Sequence, residues 1–120
     1  MLNLDTHVLI AVLLGELAEK EHGLVVKAKL TVSDIVLWEL AKLIELGRLS
    51  LDLDSAEFRH CLRHLTVIPI SVEIARKSTE LDFRSDLADE IIAATSIVEG
   101  IPLLTRDRRI LRSRMVPFAL

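Results

Sequence analysis

Five carboxylates, Asp5, Glu39, Asp86, Asp89 and Asp107, stand where a folded chain can gather them. Asp5 closes the apolar run Leu2 to Leu4, and Asp107 follows Leu103-Leu104-Thr105. If both runs are strands of one open parallel sheet, both acids project from its carboxyl edge, where such sheets bind ligands. Each also fits the N-cap of a following helix, the commoner role for Asp in that position. Glu39 lies in Ile35-Val36-Leu37-Trp38-Glu39-Leu40-Ala41, apolar on nearly every face. A carboxylate there pays a desolvation penalty unless it is paired or coordinated. Lys42, three residues on, offers the pairing. Asp86 and Asp89 share one face of a first helical turn, which suits the helix dipole as well as a ligand.

Taken as a set, the acids point to more than caps. Carboxylates converging at one edge raise each other's pKa unless a counter-cation offsets them. Oxygen-only donors, with no Cys or His pattern, select Mg2+ or Mn2+ over zinc. Ions of that kind activate water and offset charge on phosphate, so phosphodiester hydrolysis is the expected reaction.

The elements that must position these acids alternate along the chain. Leu2–Leu4, Leu30–Val32, Thr66–Ile70 and Leu103–Thr105 read as strands, with Val116–Phe118 a weak edge strand because Pro117 cannot donate to a ladder. Helices are expected from Val8 to Leu14 before Gly15, from a Ser33 cap to Leu46 before Gly47, and from an Asp54/Glu57 capping box to Leu65. Others run from a Ser71 cap to Leu81, from Asp86 to Glu99 before Gly100, and briefly after Asp107. Glu16–Lys29, interrupted by Gly23, reads as one broken helix or two short ones. Short apolar strands alternating with helices make an α/β domain with a parallel sheet covered on both faces, one domain over residues 1–120.

Composition narrows the class. An apolar fraction of 51% supports a core, and 3% aromatic residues make that core aliphatic. No apolar run reaches the ~18 residues of a membrane span, the start lacks a basic leader, and the single Cys61 suits a reducing compartment. The expectation is a cytoplasmic protein with no membrane contact. The net charge of −3 argues against a nucleic-acid partner, but Arg106, Arg108, Arg109, Arg112 and Arg114 crowd the final segment. They are either phosphate contacts or a solvated helix end. His60 and His64 have the spacing of a metal pair but lack a third ligand, and could instead be the acid and base of a metal-free ribonuclease. Trp38 is expected in the core, and with Tyr absent no stacking platform for bases is visible. His7 is read as a helix-start residue near the acids.

Four segments in order resemble the PIN-domain nucleases, especially the VapC-type toxins. They are Met1-Leu2-Asn3-Leu4-Asp5-Thr6, Val32-Ser33-Asp34-Ile35-Val36-Leu37-Trp38-Glu39-Leu40-Ala41, Asp86-Leu87-Ala88-Asp89-Glu90-Ile91-Ile92-Ala93-Ala94-Thr95 and Gly100-Ile101-Pro102-Leu103-Leu104-Thr105-Arg106-Asp107. The resemblance implies a three-layer α/β/α fold with sheet order 3-2-1-4-5 and a Mg2+- or Mn2+-dependent endoribonuclease. It implies Asp5, Glu39, Asp89 and Asp107 as the acidic set, with Asp5 and Asp89 the foremost metal ligands. Asp86 is then a neighbour, Thr6 a supporting residue, and Thr105 the residue that orients Asp107. It further implies an RNA substrate, a protein antitoxin and a homodimer. A housekeeping ribonuclease of RNA maturation and a catalytically silent RNA-binding or scaffold module are the alternatives. Leu87 and Glu90 stand where the family usually has Pro and Arg, and Leu43 where it usually has Lys.

Overall fold

Leu2, Asn3 and Leu4 are all buried because β1 (Leu2–Leu4) is an interior strand of a parallel sheet, covered on both faces. A computed structural model describes residues 1–120. β1 pairs with β2 (Leu30–Ser33) through Leu2↔Leu30 and Asn3↔Thr31, and with β4 (Leu103–Leu104) through Asn3↔Leu103 and Leu4↔Leu104. β3 (Leu65–Ile68) lies outside β2, giving the order β3-β2-β1-β4. The expected fifth strand is reduced to a single parallel bridge between Leu103 and Phe118. There Leu103 N donates to Pro117 O and Ala119 N to Leu103 O, while Pro117 has no N–H with which to extend the ladder.

The connections are helical. α1 (Thr6–Leu14) follows β1 and ends at Gly15, whose φ of 69° is the left-handed conformation that favours glycine at a C-cap. α2 (Glu19–Val25) runs through Gly23 as one helix, which settles the reading of that segment. α3 (Ile35–Glu45) starts from Asp34, not Ser33, because Ser33 is still in β2; its hydroxyl accepts weakly from Ile35 N at 3.3 Å. α4 (Ala56–Arg63) is capped by Ser55, which accepts from Phe58 N, one residue later than the Asp54 box predicts. α5 (Val72–Lys77) is capped by Ser71 and stops short of Leu81, and α6 (Leu87–Glu99) ends at left-handed Gly100. α7 (Arg108–Leu111) is the short helix after Asp107.

Fourteen buried residues form the core, among them Leu4, Val8, Leu9, Val32, Val36, Leu40 and Ile92, with Phe58 its sole aromatic. Several polar side chains interrupt this aliphatic interior, Asn3, Thr31, Ser33 and Ser96 among them. Asn3, fully buried, donates from Nδ2 to Ser96 Oγ at 2.8 Å and more weakly to Ile92 O, tying β1 to α6. The small residues Ala93, Ala94 and Ser96 let α6 lie close against the sheet. The helix that carries Asp89 is thus fixed against the strand that ends in Asp5.

Candidate metal centre at the carboxyl edge of the sheet

β1 and β4 lie side by side, and the chain leaves β1 toward β2 on the other flank. That arrangement makes a topological switch point, with a crevice outside the strand ends. Asp5 sits there, 2% exposed. Its Oδ1 accepts from Thr6 N at 2.8 Å and its Oδ2 from Thr105 Oγ1 at 2.6 Å. Asp5 therefore caps α1, as its position suggests, yet it is buried far more deeply than a cap requires. Burial raises its pKa, the Thr105 and Thr6 hydrogen bonds and His7 oppose the rise, and Glu39 adds repulsion.

A chain of short links joins the neighbouring acids. Thr6 spends its backbone N–H on Asp5 and donates its hydroxyl to Glu39 Oε1. Thr105 donates to Asp5 and accepts from Asp107 N at 3.0 Å. The side chain that Thr105 orients is therefore Asp5 rather than Asp107. The Asp107 carboxylate caps α7 through Arg109 N and Ile110 N. On α6, Asp89 Oδ2 accepts from Ser85 Oγ at 2.7 Å. Ser85 escapes sequence reasoning because it precedes the helix that carries its partner; its signal is the i to i+4 spacing into that first turn. Asp86 occupies the N-cap position of α6 without a side-chain capping bond, while Glu90, in the place of the family's Arg, accepts from Ser85 N at 3.3 Å.

The electrostatics tie the five acids together. Asp89 is raised to about 6, by burial first and then by repulsion from Asp5, Asp107 and Asp86, against the Ser85 bond. Glu39 is raised by burial, with Asp89 and Asp86 adding to the rise and Thr6 and His7 opposing it. Lys42 does not relieve Glu39, since it pairs with Glu45 at 3.2 Å. The ion pairs of the fold use other acids, namely Glu45, Glu80 and Glu21. No three His, Cys, Asp or Glu side chains lie close enough together to hold an ion as they stand, so any ion bound here would draw the acids inward.

Three expectations change. Arg106 is committed within the fold: its Nε and Nη2 grip Glu21 at 2.8 and 2.7 Å, and Nη2 also donates to Glu16 O. This bidentate clasp lowers the Glu21 pKa and pins α2 beside the site. Arg106→Ala is expected to cost about 1 kcal/mol or more, because it strands a nearly buried carboxylate. A denaturation midpoint equal to the wild type would refute the clasp. Arg108, Arg109 and Arg112 are exposed on or just after α7, next to Asp107, and remain available to phosphate. His60 and His64 stack edge to face at 4.7 Å on the surface. His64 immediately precedes β3, so the pair lies toward the amino edge of the sheet, opposite the acids. Trp38 is not in the core but 51% exposed.

Thr105 gives a local check. Thr105→Val removes the only side-chain donor to buried Asp5, a loss of about 1–3 kcal/mol at that carboxylate. Any activity that depends on Asp5 is expected to fall ~10-fold or more in the Val variant and to recover in Thr105→Ser. Equal rates for Val and Ser would mean that the hydroxyl does not position Asp5.

A family model described as PIN domain matches residues 3–114. The fold is similar to a toxin–antitoxin complex from Klebsiella pneumoniae, with a TM-score of 0.70, 22% identity, and 93% of this chain and 91% of that chain covered. It is similar to VapBC2 from Rickettsia felis bound to a promoter DNA fragment, with a TM-score of 0.74, 19% identity, and 98% and 97% covered. It is also similar to DNA-bound VapBC from Salmonella typhimurium, with a TM-score of 0.68, 16% identity, and 98% and 95% covered. No curated protein sequence matches the chain. On a match that takes in nearly the whole sequence and a sheet ordered as the resemblance requires, the chain belongs to the PIN-domain family.

Proposed function

We propose that this chain is a divalent-cation-dependent endoribonuclease and the VapC-type toxin of a toxin–antitoxin pair. The observation that carries the reading is the cluster at the sheet edge: Asp5 is buried, Glu39 and Asp89 are half-buried at the same edge, burial raises the pKa of each, and no lysine or arginine pairs with any of them. Buried, mutually repelling oxygen donors fit a hard cation such as Mg2+ or Mn2+. Asp5 and Asp89 are the foremost ligands, with Glu39 and Asp107 beside them and Asp86 at the rim. When bound, the ion supplies Lewis acidity that activates water and offsets charge on the phosphate.

The chain's own contribution is orientation. Thr105 and Thr6 N hold both Asp5 oxygens, so that carboxylate cannot rotate. Thr6 holds one oxygen of Glu39 and Ser85 one oxygen of Asp89, and the second oxygen of each makes no hydrogen bond within the chain. Arg108, Arg109 and Arg112 place positive charge beside Asp107, where a nucleic-acid backbone approaches the edge. Hydrolysis adds water across a P–O bond, leaving a 5′-phosphate and a 3′-hydroxyl. No 2′-hydroxyl enters the bond changes, so a preference for RNA arises in binding.

An antitoxin partner and a homodimer belong to this reading, as does a cytoplasmic setting. The support for the partners is the likeness to VapBC complexes. No helix is long and apolar enough to cross a membrane. The test is cleavage of a labelled RNA panel with magnesium, manganese or EDTA. Cation-dependent cutting is the expected result. Cutting that persists in EDTA would overturn the mechanism, and RNA binding with no cutting under any condition would favour a silent binding module.

A further inference from the structure

An exposed indole is unexpected in a chain with one tryptophan and no tyrosine. Trp38 stands on α3 one residue before Glu39 and opens onto a groove between α3 and the start of α6. Trp38, Leu43, Leu46 and Leu87 supply its apolar walls, and Glu39 and Asp86 supply its acidic end. Trp38, Leu46 and Leu87 are 51, 62 and 75% exposed, so no side chain of the fold covers them. The groove holds about 290 Å³. That is at the small end of ligand pockets, which begin at roughly 300 Å³.

We propose that this groove is a stacking subsite for one unpaired nucleobase of the RNA, beside the phosphate presented to the acids. The inference rests on the ribonuclease reading and adds to it a place on this chain for one unstacked base next to the cut. Two observations select a base over other occupants. The groove shares Glu39 and Asp86 with the acidic cluster, so whatever fills it is in line with the site. Its walls are an indole and aliphatic side chains, between which flipped or single-stranded bases are held. Because stacking tolerates any base, the groove selects for unpaired structure more than for sequence.

The sole tryptophan makes the test direct. Short oligoadenylate and oligouridylate are titrated into the Asp89→Asn protein, in which cutting is expected to be lost, and indole fluorescence is read beside the anisotropy of a labelled strand. Saturable quenching with the midpoint of the anisotropy curve is the expected result. In the same background Trp38→Ala is expected to weaken binding ~10-fold or more and Trp38→Phe much less, the size of one base–aromatic stack. An abasic nucleotide scanned along a cleaved RNA should slow the otherwise wild-type enzyme ~10-fold at one position near the cut, and Trp38→Ala should erase that position effect. Binding with unchanged fluorescence and an unaffected Trp38→Ala variant would overturn the subsite while leaving the ribonuclease reading intact. A Trp38→Ala variant that cuts normally but escapes inhibition by a protein partner would overturn it too, assigning the groove to that partner. Failure of the wild type to cut any RNA with any cation would be a failure of the functional reading itself.

Discussion

Replacing Asp5 by Asn is expected to lower RNA cleavage by about a thousandfold or more. The substitution is close to isosteric: Oδ1 can still accept from Thr6 N, and the new amide can donate to Thr105 Oγ1, which also accepts from Asp107 N. Shape and backbone are retained, and what disappears is a negative charge at the crevice where β1 and β4 meet. A charge that positions a Lewis acid is worth several kcal/mol of transition-state stabilisation, which corresponds to ~1000-fold in rate. Asp89→Asn should behave alike, since the Asp5 and Asp89 charges repel each other at the same edge. The two losses should not add, because both variants disable one unit. Single-turnover cleavage by purified protein measures this. Near-normal rates in either variant would remove that residue from the acidic set.

The same substitutions should stabilise the cation-free protein, and its stability should rise as pH falls from about 7.5 to 5. Asp89 has its pKa raised from 3.8 to about 6 in the fold. The folded state therefore binds this proton more tightly than the unfolded chain does, and ionisation costs stability. The cost is absent below pH 3.8, grows through the interval and is complete above about 6. Asp5 and Glu39 shift in the same direction. Glu21 and Asp82 have the opposite sign, because their pKa values are lowered by hydrogen bonds from Arg106 and from Ser113. The stability they contribute is lost only as pH falls through their folded values, below the window in question. A divalent cation at a hundredfold excess over its dissociation constant should add about 2.7 kcal/mol, or roughly 10 °C for a domain of this size. Thermal melts across pH, with magnesium or EDTA, test both parts. A melting temperature insensitive to pH in EDTA and unmoved by magnesium or manganese would contradict the proposed cation site.

The parts of this architecture that are legible in sequence are those set by local chemistry. Apolar runs ending in acids mark β1 and β4, and glycines with φ near 70° mark the ends of α1 and α6. Position in the chain likewise places Asp5 and Asp107 after neighbouring strands. What sequence hides is long-range partnership. That Arg106 grips Glu21, 85 residues away, instead of facing solvent is decided by where α2 packs. The same holds for Thr105, whose hydroxyl turns to Asp5 across the sheet while its near neighbour Asp107 supplies only an N–H. Trp38 is misread because hydrophobic character predicts burial on average, whereas its own exposure depends on what α6 leaves uncovered. The single bridge at Phe118 is the remaining difference, for an apolar triplet centred on proline can touch a sheet edge without extending it.

The hydrogen bond from Thr105 to Asp5 spans 100 residues, and that from Asn3 to Ser96 spans 93. The crevice therefore belongs to the slowest class of contacts, those that close the longest loops. A chain made from its amino end displays Asp5, then Glu39, long before Asp89, Thr105 and Asp107 exist to meet them. β1 has only β2 as a neighbour until β4 is synthesised and inserts on its other flank. Translation halted anywhere earlier leaves a fragment with half an edge and no crevice. Timing is thus built into the strand order: the acids converge only after β4 and Asp107 have been made.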